Sequence, residues 1–234
     1  MKITDKIAKV DGFLTNREAT ILHKLASQAR KSGGVIAEVG SWKGKSTICL
    51  ATGSQENHKI KVYAIDHHVG SEEHQKDGKI WTFEEFKKNI KDAKVEDVVL
   101  PVLKTSEDAA KDFDQPIELI FIDGDHSYEG VKRDFELWYP KVVEGGVIAF
   151  HDTVGWDGPR RLVNEEIFKG KNFKNARFSG SITYATKVSK TTNGDRIKNR
   201  GNLALKRIAE VTNSWKIPGP IRSLGGRIVG IIQR

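Results

Sequence analysis

The chain has 234 residues, 38 % apolar and 30 % charged, which suits one α/β domain with a short extension and is too hydrophobic for a disordered chain. A single cysteine, Cys49, excludes an internal disulfide framework and a multi-cysteine zinc ribbon. The formal charge of +8 is uneven: residues 185–234 carry 11 Lys/Arg against Asp195 and Glu210, and the rest is close to neutral. Basicity therefore belongs to the C-terminal end, and a whole-chain argument for nucleic acid would misplace it. No apolar run nears the roughly 18–20 residues that cross a bilayer. Met1-Lys-Ile-Thr-Asp-Lys6 is charged with no apolar stretch after it, so a cytoplasmic protein is expected.

Thr15-Asn-Arg-Glu18 reads as a capping box, followed by the apolar stripe Ala19, Leu22, Ala26 and Ala29, with Gly33-Gly34 as the stop. Val35-Ile-Ala-Glu-Val39 is a first strand that turns at Gly40, and Lys61-Val-Tyr-Ala-Ile65 a second that ends at Asp66. Phe83, Phe86 and Ile90 mark a helix from 82 to about 91. A third strand, 98–103, contains Pro101 and is expected at an edge or bulge. Ile117-Glu-Leu-Ile-Phe-Ile122 is a fourth, ending at Asp123; Tyr128, Val131, Phe135 and Trp138 then line one helix face. Gly145-Gly146 is expected to break the chain before a fifth strand, 147–150, which runs into His151-Asp152. Two more strands are predicted at 173–179 and 182–187, a linker at 191–195, and a helix near 202–211.

Strands alternating with helices, several of them apolar throughout, predict an α/β Rossmann-like doubly wound, mostly parallel sheet. The expected division is a domain over 1–188, with an N-terminal helical part over 1–32, and a basic extension over 189–234. Ligands in such sheets sit at the carboxyl ends of the strands. Those ends carry Glu38 with Gly40, Asp66, Ser106, Asp123, and His151 with Asp152. In Glu38-Val-Gly-Ser-Trp-Lys-Gly-Lys-Ser46 the first glycine comes one residue late for a phosphate loop, and Val39, Ser41 and Trp42 break the dinucleotide fingerprint. An acid beside a glycine turn suits an amine, hydroxyl or positive charge, while the following helix N-terminus suits a carboxylate. An amino acid joined to a nucleoside has both. S-adenosylmethionine fits, with Asp66 placed to accept ribose hydroxyls.

The same loop, with Ala64-Ile-Asp66, Phe121-Ile-Asp-Gly-Asp-His-Ser-Tyr-Glu-Gly-Val-Lys-Arg-Asp134 and Gly145-Gly-Val-Ile-Ala-Phe-His-Asp152, resembles class I S-adenosylmethionine-dependent methyltransferases over roughly residues 33–188. The nearest branch is that of bacterial small-molecule and sugar O-methyltransferases, distantly similar to metal-dependent catechol-type enzymes. The resemblance implies a seven-stranded sheet whose last strand is antiparallel. It implies that Glu38, Gly40, Ser41, Gly44 and Ser46 line the methionine portion, that Asp66 holds the ribose, and that Ser106 and Glu107 lie near the adenine. Asp123 also borders this pocket. Asp123 and Asp152 are implied as ligands of Mg²⁺ or Mn²⁺, and His126 as general base. His151 stands where the catechol-type pattern has an acid, and is open to three roles: metal ligand, alternate base or hydrogen-bond partner. Asp125 is expected only to shape its loop. His67, His68 and His74 read as a solvated loop, and Cys49 as a buried small residue.

Three other readings compete. A nucleic-acid methyltransferase would use the basic tail, but the Asn/Asp-Pro-Pro-Tyr-type motif of amino-directed enzymes is missing and the tail has one aromatic, Trp215. A metal-dependent oxygenase using His126, His151 and an Asp would leave the glycine loop unexplained. A non-catalytic binding module on this fold is the third. The expected partners are a small-molecule or glycan acceptor, a second copy in a homodimer, and an anionic acceptor or lipid surface contacted through the tail.

Overall fold

The computed structural model describes residues 2–29, 33–70 and 80–214, the side chains of 212–214 excepted. His74 and residues 215–234 lie outside the described residues. The strands are β1 (Val35–Val39), β2 (Val62–Ile65), β3 (Val99–Val102), β4 (Ile117–Ile122), β5 (Val142–Phe150), β6 (Phe173–Ser179) and β7 (Ile182–Lys187). They form one sheet in the order β3-β2-β1-β4-β5-β7-β6. β1 to β5 are parallel, and β7 is antiparallel to both β5 and β6. The order reverses at β1 and β4, so their carboxyl ends form the switch-point crevice. β3 lies at the edge, where Pro101 costs no central ladder bond.

The helices are α1 (Ile3–Lys6), α2 (Asn16–Ser27), α3 (Lys45–Glu56), α4 (Phe83–Asp92), α5 (Ser106–Asp112), α6 (Tyr128–Trp138), α7 (Asp157–Leu162) and α8 (Asn193–Ser214), with a π-helical turn over Val163–Phe168. Side chains alternate between the two faces of the sheet. Ile36, Leu119 and Phe121 pack with Leu22, Ile48 and Phe86 on one side. Ala37, Val39, Ile120 and Ile122 pack with Phe135, Trp138 and Leu162 on the other. Two covered faces account for strands such as Ile117–Ile122 that are buried at every position. The α2 capping box forms as expected: Thr15 Oγ1 accepts from the Glu18 N–H at 3.3 Å, and the Thr15 N–H donates to Glu18 Oε2 at 2.8 Å.

Three expectations change. Gly145-Gly146 does not break the chain; β5 starts at Val142 and passes through a bulge there, since Ile117 pairs with Val142 but Leu119 with Val147. Gly145 takes φ +84°, and a Cβ on Gly146 would meet the Ile117 carbonyl at 3.1 Å, so the glycines let the strand bulge and continue. His68 is no solvated loop residue. It is 1 % exposed, its Nδ1 lies 2.9 Å from Thr82 Oγ1, and its ring packs on Phe83 and Phe86. The segment 191–195 is a helix cap, not a linker: Thr192 Oγ1 accepts from the Asp195 N–H at 3.1 Å, and the Thr192 N–H donates to Asp195 Oδ2 at 3.0 Å.

The α8 helix that follows joins the body. The buried Asn199 amide accepts from the Ala176 N–H at 3.0 Å and donates to the Phe173 carbonyl at 2.7 Å. Both sit on β6 beside the point where its pairing to β7 shifts register. Asn199→Ala leaves these two backbone groups buried and unpaired, and should cost about 2–4 kcal/mol. Urea denaturation at 25 °C reads this directly. A loss below about 0.5 kcal/mol, within the range of neutral surface changes, would mean that α8 contributes nothing to the domain.

Candidate active site

The first half of the site is the turn after β1. Gly40 takes φ +86°, and a Cβ there would lie 2.1 Å from the Asp123 carbonyl oxygen, so only glycine lets β1 and β4 end this close together. Trp42 is also left-handed, at φ +46°, and Gly44 caps α3 at φ +88°. Asp66 holds this loop from β2: its Oδ2 accepts from the N–H groups of Ser41 at 2.9 Å and Trp42 at 2.7 Å, and its Oδ1 from the His68 N–H at 2.6 Å. The expected ribose ligand is therefore first a brace for the loop, with one lone pair left on Oδ1.

Glu38 is fully buried beneath the loop, where the Thr47 hydroxyl donates to its Oε2. Burial pushes its carboxyl up to about 8, against the hydroxyls of Ser46 and Thr47 and with added repulsion from Asp123 and Asp66. Glu38 Oε1 and Ser41 Oγ are both buried without a hydrogen-bond partner. Orphaned buried polar atoms at the end of β1 and in the turn after it are what a polar ligand would satisfy. Ser46 lines the same wall, nearly buried.

The second half stands at the ends of β4 and β5. His126 Nε2 lies 3.1 Å from Asp152 Oδ2, and its ring stacks on Trp156 at 4.4 Å between centroids. His126 is steadied from behind by α7, whose Gly158 approaches so closely that a Cβ would meet the His126 carbonyl at 2.3 Å. Asp152 itself is strained, at φ +54°, and its Oδ1 accepts from the Ser181 hydroxyl at 3.2 Å. Burial works against its charge, but His126 and His151 hold its carboxyl well below the usual range.

His151 lies underneath, with Nδ1 3.2 Å from both Asp123 Oδ1 and Asp152 Oδ2. Its Nε2 faces Glu18 Oε2 at 3.8 Å. Burial opposes its protonation, but the charge of Asp123, hydrogen bonds to Asp123 and Asp152 and the facing Glu18 carboxylate push it up to about 12. The nitrogen that joins the two carboxylates at ligand spacing belongs to His126: Asp123, His126 and Asp152 present ligand atoms within 4.8 Å of one another. His151 donates to both carboxylates from beneath, and Asp123, His126 and Asp152 form the group at ligand spacing.

With the two halves in place, comparison with known proteins becomes decisive. Residues 37–153, half of the chain, match the family profile described as "Methyltransferase domain". The chain belongs to that family. A curated relative, an uncharacterized protein of Acanthamoeba polyphaga mimivirus, is 32 % identical over 138 residues, 56 % of this chain and 57 % of that protein. The chain thus spans little more than half of its length. Among solved structures, the O-methyltransferase NovP superposes with a TM-score of 0.60 at 17 % identity, over 73 % of this chain and 79 % of that one. The O-methyltransferase TomG from Streptomyces achromogenes, in complex with SAM, gives 0.57 at 16 % identity, over 80 % and 87 %. These likenesses establish the methyltransferase fold.

Ser106 and Glu107 of this methyltransferase domain are engaged elsewhere. The Ser106 hydroxyl donates to Asp134 Oδ1 at 2.5 Å and accepts from Trp138 Nε1 at 2.9 Å, while Glu107 pairs with Arg133 at 2.9 Å. Burial raises the Asp134 carboxyl to about 6 against that Ser106 bond. Asp125 shapes its turn as expected, accepting from the Ser127 N–H at 2.7 Å. Cys49 is buried.

The sequence around Glu18 carries the signal of a helix cap and none that ties it to the site. Glu18 is 3 % exposed, and its Oε1 accepts from the Ser181 N–H at 2.6 Å. Burial opposes its charge, but the facing His151 and bonds from Thr15 and Ser181 hold it near 2. A cap residue on α2 has become the outer carboxylate of the His151 cluster.

The raised Glu38 carboxyl yields a stability test. A buried acid whose folded pKa is about 8, against 4.5 for the ordinary group, binds a proton more tightly folded than unfolded. It therefore favours folding below pH 4.5, and that contribution is lost as the pH rises through 8. The gap in stability between Glu38→Gln and wild type should shift towards the variant by a few kcal/mol from pH 4.5 to 8.5. Denaturant titrations across that range measure it. Parallel pH curves would exclude a protonated Glu38 in the folded protein.

Proposed function

We propose that the chain is an S-adenosylmethionine-dependent O-methyltransferase acting on a hydroxyl of a sugar or other small molecule. The observation that carries this reading is the His126–Asp152 pair, 3.1 Å apart, beside the Glu38 crevice of a methyltransferase domain. When bound, S-adenosylmethionine supplies a methyl group on positively charged sulfur. The residues present fit it. Glu38 Oε1 would accept from its ammonium, the N-terminus of α3 would favour its carboxylate, and the remaining lone pair of Asp66 Oδ1 would take a ribose hydroxyl.

His126 then receives the proton of the acceptor hydroxyl at Nδ1, the nitrogen turned away from Asp152. Asp152 stabilises the imidazolium that forms, as a carboxylate behind a basic histidine does. The Trp156 ring stacked on His126 holds the imidazole in one plane. Asp123 and Asp152 suit a hard divalent cation, Mg²⁺ or Mn²⁺, which would lower the hydroxyl pKa. The 4.8 Å grouping of Asp123, His126 and Asp152 favours a second reading, in which His126 is itself the third ligand.

Calorimetry with S-adenosylmethionine should show binding by the wild type and at least tenfold weaker binding by Glu38→Gln, about 1.4 kcal/mol. Turnover on a sugar and metabolite panel, followed by mass spectrometry, should be abolished by EDTA, Asp123→Ala and Asp152→Ala with cofactor binding retained. His126→Ala should cost about 10²–10⁴-fold in rate. If His126→Ala also weakens Mn²⁺ binding, His126 is a ligand; if only the rate falls, it is the base. No binding of S-adenosylmethionine by the wild type would end the proposal, and full activity in chelator would remove the metal from it.

A further inference from the structure

The outer side of α8 is built for a partner that the methyl-transfer site does not need. Its inner side is committed to the body through Asn199, Leu203 and Lys206, all buried. On the outer side Ile197, Arg200, Ala204, Arg207 and Ile208 recur at helical spacing, all exposed, Ile197 by 73 % and Ile208 by 58 %. Lys169, Arg200 and Arg207 line a groove of about 490 Å³ with Leu203, Ala204 and Ile208. Three acids close by are engaged, since Asp195 caps the helix, Glu210 pairs with Lys206, and Glu165 is taken by Arg161 and Tyr128, while exposed Glu166 stands three residues before Lys169. The sequence after α8 adds Lys216, Arg222, Arg227 and Arg234 with no Asp or Glu.

We propose that this face of α8 docks the protein on an anionic lipid bilayer, with lipid phosphates in the Lys169–Arg200–Arg207 groove and Ile197 and Ile208 entering the interface. Apolar side chains flanked by unneutralised cations on one helix side are the composition of interfacial helices. Cations near an anionic surface add attraction one by one. A single-stranded nucleic acid is a poorer match, because α8 has no aromatic side chain between 193 and 211 on which a base could stack. Two exposed isoleucines would also gain nothing from a phosphate backbone. The same helix reaches the active site from its inner side: Lys206 Nζ donates to the Thr153 carbonyl at 2.6 Å, one residue beyond Asp152. Docking would thus engage an element that supports the wall of the site.

Vesicle flotation of the full chain tests this. Wild type should float with phosphatidylcholine vesicles containing phosphatidylglycerol, not with phosphatidylcholine alone, and salt should weaken the binding. The double variant Arg200→Glu/Arg207→Glu should bind about thirtyfold more weakly or worse, with an unchanged melting temperature because both side chains are exposed. Ile208→Ser should weaken binding at high salt, where the apolar contribution remains. Failure of the wild type to bind anionic vesicles at low salt would overturn the proposal. So would undiminished binding by the double variant, which would place the attraction in residues 215–234 alone, or tighter binding to single-stranded RNA than to the vesicles.

Discussion

Three carboxylates from three separate elements converge on one buried imidazole. Asp123 ends β4, Asp152 ends β5 and Glu18 begins α2, and His151 lies between them. In a crevice of low dielectric, the two strand-end acids would repel each other strongly without a cation between them. Charged His151 supplies that cation. It lets β4 and β5 present their acids on the same side at close range, and it links α2 to the catalytic edge. Glu18 completes the arrangement by bonding to the Ser181 N–H as well, which joins the β6–β7 turn to the same cluster.

The glycine turn depends on a different constraint, steric and not electrostatic. Gly40 lies against the Asp123 carbonyl with no room for a methyl group, so the glycine loop and the first acid of the cluster are in register through the backbone. Asp66 then secures the loop amides from the next strand. Glu38 is left with an unpartnered oxygen in the crevice between them. A buried acid kept uncharged by its surroundings is ready to ionise when a cationic group arrives, so charge complementarity would come with the ligand. The strain at Asp152 belongs to the same economy of position: its left-handed backbone aims the carboxylate at His126.

The C-terminal helix changes how the basic character of the chain is understood. Lys206, buried completely and bonded to Glu210 and the Thr153 carbonyl, is a structural cation, and burial lowers its pKa. Arg200 and Arg207 lie on the other side of the same helix and face solvent. Charge counted along the sequence treats these residues alike, and the helix separates them by face. No helix among the described residues is long and apolar enough to cross a membrane.

Sequence alone determined the order and kind of the seven strands and of α2, α3, α4, α6 and α8, though not of α1, α5 or α7, because apolar periodicity, caps and strand-ending acids are local signals. Thr15 with Glu18, Gly40, Gly44, Asp66 and Asp123 could each be read where they stand, and the strand alternation placed the last four on one edge. Only the tertiary structure decided which of them touch. The bulge at Gly145-Gly146 depends on pairing with β4, which lies some 25 residues earlier in the chain. Burial of His68 depends on α4, and the anchoring of α8 on a buried amide reaching β6. The different settings of His126 and His151 were invisible for the same reason. Both are histidines beside a strand-end acid, and what separates them is that one faces the open crevice while the other is enclosed by three carboxylates brought from residues 18, 123 and 152.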